Sequence, residues 1–436
     1  RQIYGSKGSN FTQSIIMEKF IVQGPCRLKG SVEISGSKNA SLPILAATLL
    51  FDDVVELKNL PNVKDIYTML SLLESLGSKV KINKQKKIIK IYKSKKIKTF
   101  ASYNLVKTMR AGILVLGPLI AKYKKAITSL PGGCSIGARP VNHHLNSLKK
   151  MGMKYFIKKG YIHAKVDKTL TGNLIRLPKI SVGATENLIL ASCLAKGKTI
   201  IKNCAIEPEI KDLSNFLIKA GAKIKWIGKR TVEIVGVKTL RSISYKVMGD
   251  RIECGTFCVA AALTEGNLKI KGFNPKLINT ELNILKKTGA KIQIKKDEIN
   301  IKGNNIIKNI NHIKTKEYPA FPTDLQAAFM VLLCKAIGRS TISENIFENR
   351  FMHVAELRRL GAKINTKKNK AFIDGNTKFE GAELMSSDLR ASVALVLAAI
   401  TAKGKSIINR IYHLDRGYEN LEKKLSKIGA KIKRIS

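Results

Sequence analysis

The sequence predicts an α/β protein of six repeated units, grouped as two domains of three. Three observations carry this. A helix end, a glycine and an alternating strand recur as LESLGSKVKI, LKKMGMKYFI, LIKAGAKIKW, LKKTGAKIQI, LRRLGAKINT and LSKIGAKIKRI, about 70 residues apart. Each copy also carries one almost wholly apolar helical segment. A chain of 436 residues, 44% of them apolar, is long enough for about two domains with large cores.

The apolar segments come first in each unit: NASLPILAATLL, RAGILVLGPLIA, ATENLILASCLA, IECGTFCVAAAL, DLQAAFMVLLCKA and DLRASVALVLAAI. A helix that is apolar all round must be buried all round, so these six belong at the centre. A strand should follow, then an amphipathic helix. The closing glycines, Gly77, Gly152, Gly221, Gly289, Gly361 and Gly429, suit the C′ position that ends that helix at positive φ. The period-two pattern after each glycine predicts two further strands, which with a strand leading into the apolar helix make a βαβαββ-type unit.

Composition narrows the function. No apolar run reaches the roughly 18 residues needed to span a bilayer, which argues against membrane insertion. Seven cysteines without a CxxC pair suggest reduced thiols in a cytoplasmic protein, with no disulfide framework and no metal site. Cys254 and Cys258, within CGTFCVAAA, read as packing. The net charge of +48 raises the question of nucleic acid, but the lysines are scattered over nearly every strand with few interleaved aromatics. No specific nucleic-acid partner is expected. Met17 reads as the natural start, and residues 1–16 as a disordered extension.

Two local features point to chemistry. Lys38, Arg110, Arg251 and Arg390 each stand at or beside the predicted N-terminus of a buried helix, where a cation opposes the macrodipole. A bound anion would satisfy helix ends and side chains together, so the expected ligand is a multiply anionic small molecule between the domains. The segment SLPGGCSIGARP, residues 129–140, places Cys134 in a proline- and glycine-broken loop. There the thiol is accessible, and Arg139 is near enough in sequence to lower its pKa.

Taken together, SGSKNASLPILAATLL, LPGGCSIGARPV, SVGATENLILAS, DRIECGTF, YPAFPTDLQAAF, ENIFENRFMHVAEL, DLRAS and DRGYENLEKKL resemble, in order from Met17 to the C-terminus, the bacterial UDP-N-acetylglucosamine enolpyruvyl transferases. The resemblance implies a two-domain inside-out α/β barrel. The expected domains are 17–37 with 250–436, and 38–249 carrying the Cys134 loop. It also implies transfer of the enolpyruvyl group of phosphoenolpyruvate to the 3′-hydroxyl of UDP-N-acetylglucosamine without a cofactor, the committed step of peptidoglycan precursor synthesis. Residues carry over by motif. Cys134 matches the acid that protonates the methylene carbon, Asp324 the candidate base, and Asp388 an acid near the reacting centre. Lys38, Arg139 and Arg416 match positions at the phosphate, and Arg350 and Arg390 positions near the carboxylate. For the nucleotide sugar, Asn39 matches a sugar contact, Arg110 lies at the cleft, and Arg139 and Pro140 match the uracil-stacking pair. Val141, Asn142 and His143 continue that loop. Lys179, Ser181, Val182 and Gly183 match a diphosphate-contacting turn, and Ile346 a backbone contact near the sugar. One departure is Asn142-His143, where the family commonly has Asp-Leu. The shikimate-pathway relative shares fold and chemistry but lacks the cysteine loop. A scaffold that had lost catalysis would need a decayed catalytic set, and that set is complete here.

Overall fold

A computed structural model describes residues 18–83, 85, 87–93, 96–107, 109–130 and 141–436. Its six central helices are Lys38–Ala47, Leu116–Tyr123, Val182–Ser192, Arg251–Leu263, Gln326–Lys335 and Leu389–Ala399. All 13 residues of Arg251–Leu263 are buried, as an all-round apolar helix requires. The six closing glycines have φ between 100° and 108°, a region that disfavours every residue with a Cβ. Three apolar segments depart from the single-helix expectation, and one of them, NASLPILAATLL, ends as the 3-10 helix Thr48–Leu50. RAGILVLGPLIA begins as the 3-10 helix Arg110–Val115 before Leu116–Tyr123, where Pro118 falls in the first turn, in which a missing N–H costs little. The 3-10 turn Thr323–Leu325 likewise precedes Gln326–Lys335.

Six four-stranded sheets surround the helices. In one, Val55–Lys58 pairs in parallel with Ile243–Lys246 and antiparallel with Ile88–Tyr92, which pairs antiparallel with Lys79–Asn83. Helices lie inside and sheets outside, the inside-out arrangement. The side chains form two hydrophobic cores, one from residues within 20–34 and 252–432, the other from residues within 40–247.

The chain crosses between the cores twice, and the strand before each crossing stays with the core being left. Lys29–Glu33 pairs with Asn267–Lys271 of the first core, and Ile243–Lys246 with Val55–Lys58 of the second. Gly36 and Gly249 form a bridge between the two crossings. A Cβ on Gly36 would fall 1.6 Å from the carbonyl oxygen of Asn59, so no larger residue fits. The crossings therefore start the helices Lys38–Ala47 and Arg251–Leu263 side by side, and the backbone N–H of Lys38 donates to Asp250 at 3.3 Å.

Candidate active site

Asp324 lies in the 3-10 turn Thr323–Leu325, with 26% of its side chain open to solvent. Arg350 Nη2 donates to its Oδ1 at 2.8 Å and Arg390 Nη2 to its Oδ2 at 2.9 Å. Both arginines are buried. Arg390 follows the N-cap Asp388, whose Oδ1 accepts from the backbone N–H groups of Arg390 at 2.9 Å and Ala391 at 3.1 Å. The cap thus places a negative charge where a cation would otherwise face a positive helix end alone. Burial by itself would push the Asp324 carboxyl up, but Arg390, Arg350 and Lys38 together hold it well below the usual carboxylate range. It is a firmly ionised carboxylate between two guanidiniums.

A second cluster joins the two cores. Lys38 is the first residue of its helix, after the N-cap Ser37, which accepts from Ala40 N–H at 3.2 Å. Its Nζ donates to Asp65 Oδ2 at 3.3 Å. Asp65 sits in the first turn of the helix Lys64–Ser75 and also accepts from Arg416, at 3.0 Å from Nε and 3.5 Å from Nη2. Arg416 ends the 3-10 helix Ile411–Arg416 of the other core. Burial holds the Lys38 ammonium below the usual lysine range; Asp65 opposes this, while Arg390 and Arg416 reinforce it. Lys38 thus feels groups of both clusters, and they form one site of four cations held by carboxylates.

Cys134, Arg139 and Pro140 lie outside the described residues. Beside that loop, Val141 is buried, Asn142 is exposed and His143 half-buried at the start of the helix Asn142–Lys150. Arg110 opens its 3-10 helix, and Asn39 is half-buried at the second position of Lys38–Ala47. Lys179 is exposed, Ser181 caps Val182–Ser192 by accepting from Ala184 N–H at 3.3 Å, and Val182 is exposed at its first position. Gly183 packs against His144, whose Cε1 would lie 3.2 Å from a Cβ there. Asn187 ties these parts together. Its Nδ2 lies 3.1 Å from His144 Nδ1 and donates to the Ile113 carbonyl at 3.0 Å, while its Oδ1 accepts from Gly117 N–H at 2.7 Å. Burial, with the Arg110 charge, pushes His144 down to about 3, so the imidazole is neutral and accepts through Nδ1. Ile346 donates its backbone N–H to Glu344 at 2.8 Å, and Glu344 also accepts from Thr323 Oγ1 at 2.9 Å, which couples the Ile346 turn to that of Asp324.

Arg251 corrects the expectation of four cations around one anion. Its Nε donates to Glu209 Oε1 at 2.9 Å, both side chains are buried, and Glu281 and Glu207 also act on its charge. Glu209 belongs to Pro208–Lys219 of the other core, so Arg251 is a tie between cores. The sequence reading also missed Asp65, His144 and Asn187. An acid in a helix first turn and an amide in an apolar helix give no local signal of these contacts. Among the described residues no group of three or more His, Cys, Asp or Glu could hold a metal.

Residues 22–425 match the family model for EPSP synthase (3-phosphoshikimate 1-carboxyvinyltransferase). The UDP-N-acetylglucosamine 1-carboxyvinyltransferase of Pelagibacter ubique is 66% identical over 420 residues, 96% of this chain and 100% of that enzyme. The enzyme of the same name from Pseudoalteromonas atlantica is 49% identical over 421 residues, with the same coverage. Among solved structures, the enolpyruvyl transferase NikO from Streptomyces tendae superposes with a TM-score of 0.87 at 22% identity, covering 96% of this chain and 99% of NikO. EPSP synthase from Acinetobacter baumannii gives 0.76 at 19%, covering 96% and 100%. These two support the fold, and the closer sequence relatives place the molecule within it: the chain belongs to the UDP-N-acetylglucosamine 1-carboxyvinyltransferase family of enolpyruvyl transferases.

Proposed function

We propose that this protein transfers the enolpyruvyl group of phosphoenolpyruvate to the 3′-hydroxyl of UDP-N-acetylglucosamine and releases phosphate, in the cytoplasmic synthesis of peptidoglycan precursors. The observation that carries this reading is the convergence of Lys38, Arg416, Arg350 and Arg390 from both cores around Asp324 and Asp65. Four cations meet there, which suits a substrate with one phosphate and one carboxylate.

The phosphate is assigned to Lys38 and Arg416, with Arg139 from the loop, and the substrate carboxylate to Arg390 and Arg350. Those two guanidiniums are held by Asp324 in this structure. An incoming carboxylate competes for them, and each guanidinium that Asp324 gives up makes it a stronger base. Cys134 protonates the methylene carbon, the 3′-hydroxyl oxygen attacks C2, and Asp324 accepts the hydroxyl proton. The resulting ketal loses phosphate and a methyl proton to restore the double bond. Asp388 stays close to this centre through its cap on Arg390.

The nucleotide sugar is assigned mainly to the second core, with Ile346 contributed by the first. Asn39 and the backbone of Ile346 are assigned to the sugar, and Pro140 and Arg139, with Val141, Asn142 and His143, to the uracil. Lys179, Ser181, Val182 and Gly183 receive the diphosphate at the N-terminus of Val182–Ser192, and Arg110 adds charge at the cleft. No helix among the described residues is long and apolar enough to cross a membrane. The deciding experiment is phosphate release from phosphoenolpyruvate with UDP-N-acetylglucosamine, then with shikimate 3-phosphate, as acceptor. Only the first should react, Cys134→Ala should lose most of that release, and Cys134→Asp should keep much of it. Equal rates with both acceptors would overturn the assignment.

A further inference from the structure

We propose that Asp65 is a positioning residue for the reaction: its carboxylate gathers Lys38 of one core and Arg416 of the other into a single phosphate-binding pair. The inference rests on the assignment of those two cations to the phosphate of phosphoenolpyruvate. Asp65 is 5% exposed, and both its oxygens are engaged, Oδ1 by Arg416 and Oδ2 by Lys38 and Arg416. It is the shared partner of two cations that the chain places 378 residues apart by number, Lys38 and Arg416.

The donor count favours orientation. An ammonium has three N–H donors and a guanidinium five, so one carboxylate leaves donors on both cations for a ligand. What it fixes is the direction in which they point. A carboxylate beside a phosphate site also weakens anion binding through like-charge repulsion, so gain in ground-state affinity is not its contribution. Neighbouring contacts hold the same seam: Lys64 pairs with Asp415 at 3.6 Å, and the backbone N–H of Asn62 donates to Glu419 at 3.2 Å. Arg416 thus meets Lys38 at the place where the two cores touch.

The test compares Asp65→Asn, Asp65→Glu and Arg416→Gln in steady-state kinetics over pH, with UDP-N-acetylglucosamine binding measured separately. Misplaced reacting groups cost about 10²-fold in rate, so Asp65→Asn should lose about that much in kcat while KM for phosphoenolpyruvate changes by less than about threefold. Lys38 also loses the charge that opposes its deprotonation, so the alkaline limb of kcat/KM for phosphoenolpyruvate should move to lower pH. Asp65→Glu keeps the charge; it should restore the limb and recover much of kcat. If the Asn variant does not accumulate, Asp65→Glu decides alone, with lowered kcat at an unmoved limb in favour and full parental kcat against. Parental kcat and an unmoved limb in Asp65→Asn would overturn the proposal, as would a loss of kcat without a shifted limb. If Arg416→Gln then still loses turnover, the phosphate assignment stands and only the role of Asp65 falls; if Arg416→Gln is also fully active, the assignment itself has failed.

Discussion

Arg251 and Arg390 occupy nearly the same place in the repeat and do different work. Each follows an aspartate N-cap: Asp250 accepts from Ile252 and Glu253 N–H groups at 2.8 and 3.0 Å, and Asp388 from Arg390 and Ala391. Arg251 points at Glu209, with Glu207 and Glu281 close enough to act on it. Arg390 points at Asp324, which it shares with Arg350, and Lys38 feels its charge. Carboxylates are in excess around the first arginine, whereas around the second Asp324, Asp388 and Asp250 are matched by Arg390, Arg350 and Lys38. The repeat delivers a cation to the space between the cores, and the opposing element decides whether it becomes a tie or a ligand site. Surplus carboxylates can neutralise themselves by taking up protons, whereas arginines cannot lose theirs and keep their charge for an anion.

The largest effect should come from breaking the tie. Arg251→Met removes one partner of a buried pair and leaves Glu209 uncompensated, which should cost about 3 to 5 kcal/mol of stability in urea unfolding. KM for phosphoenolpyruvate at a permissive temperature should change little. Arg390→Gln should do the reverse, losing turnover by roughly 10²-fold or more with the smaller stability loss. Matching stability and activity losses in the two variants would erase the distinction.

Next in size is Asp324→Asn. The amide keeps the shape but cannot take the hydroxyl proton, so kcat should fall by roughly 10²-fold or more while UDP-N-acetylglucosamine still binds. Near-normal turnover, measured by phosphate release, would remove Asp324 from the role of base.

The fold was legible because its signals are local and repeated. A glycine at C′ and an all-apolar helix mean the same thing in every copy, and their repetition cancels accidents. The cations were legible for a related reason: Lys38, Arg110, Arg251 and Arg390 break a helix-end rule that can be read along the chain. What they face could not be read this way. Nothing near Arg251 in sequence announces Glu209, and Asp65 looks like any favourable acid in a helix first turn. Those partners arrive from other units through tertiary packing. For Cys134, Arg139 and Pro140 the motif alone carries the expectation.

A smaller effect reads the acid-rich region through pH. Burial, with Glu209 nearby and only partly offset by Arg251, pushes Glu281 up to about 7 from an ordinary 4.5. A carboxyl raised in the folded chain binds its proton more tightly there than when unfolded. Its contribution is whole below about pH 4.5 and is lost as pH rises through about 7. Stability of the parent should therefore fall across this window more steeply than that of Glu281→Gln, by at most about 1.4 kcal/mol per pH unit for one proton. Chemical denaturation at several pH values measures the difference, and parallel pH profiles would count against the acid-rich half of the comparison.

The smallest effect separates the buried cations from the surface ones. The chain carries 79 Lys and Arg against 31 Asp and Glu, yet Arg350 and Arg390 are buried and Lys38 largely so, while Lys64, Lys154 and Lys198 have side chains more than half exposed. Exposed charges are screened over a Debye length of about 8 to 10 Å at moderate salt, and buried ones much less. Duplex DNA reaches only the exposed set, so its binding should be weak, indifferent to sequence and largely gone between about 50 and 200 mM salt. Phosphoenolpyruvate reaches the buried set, and its KM should rise far less over the same range. Fluorescence anisotropy with a labelled duplex and kinetics in matched buffers give both curves. Parallel salt dependence would mean that the cleft is no more protected than the surface, and sequence-selective DNA binding surviving at 200 mM would show that the scattered lysines form a recognition surface after all.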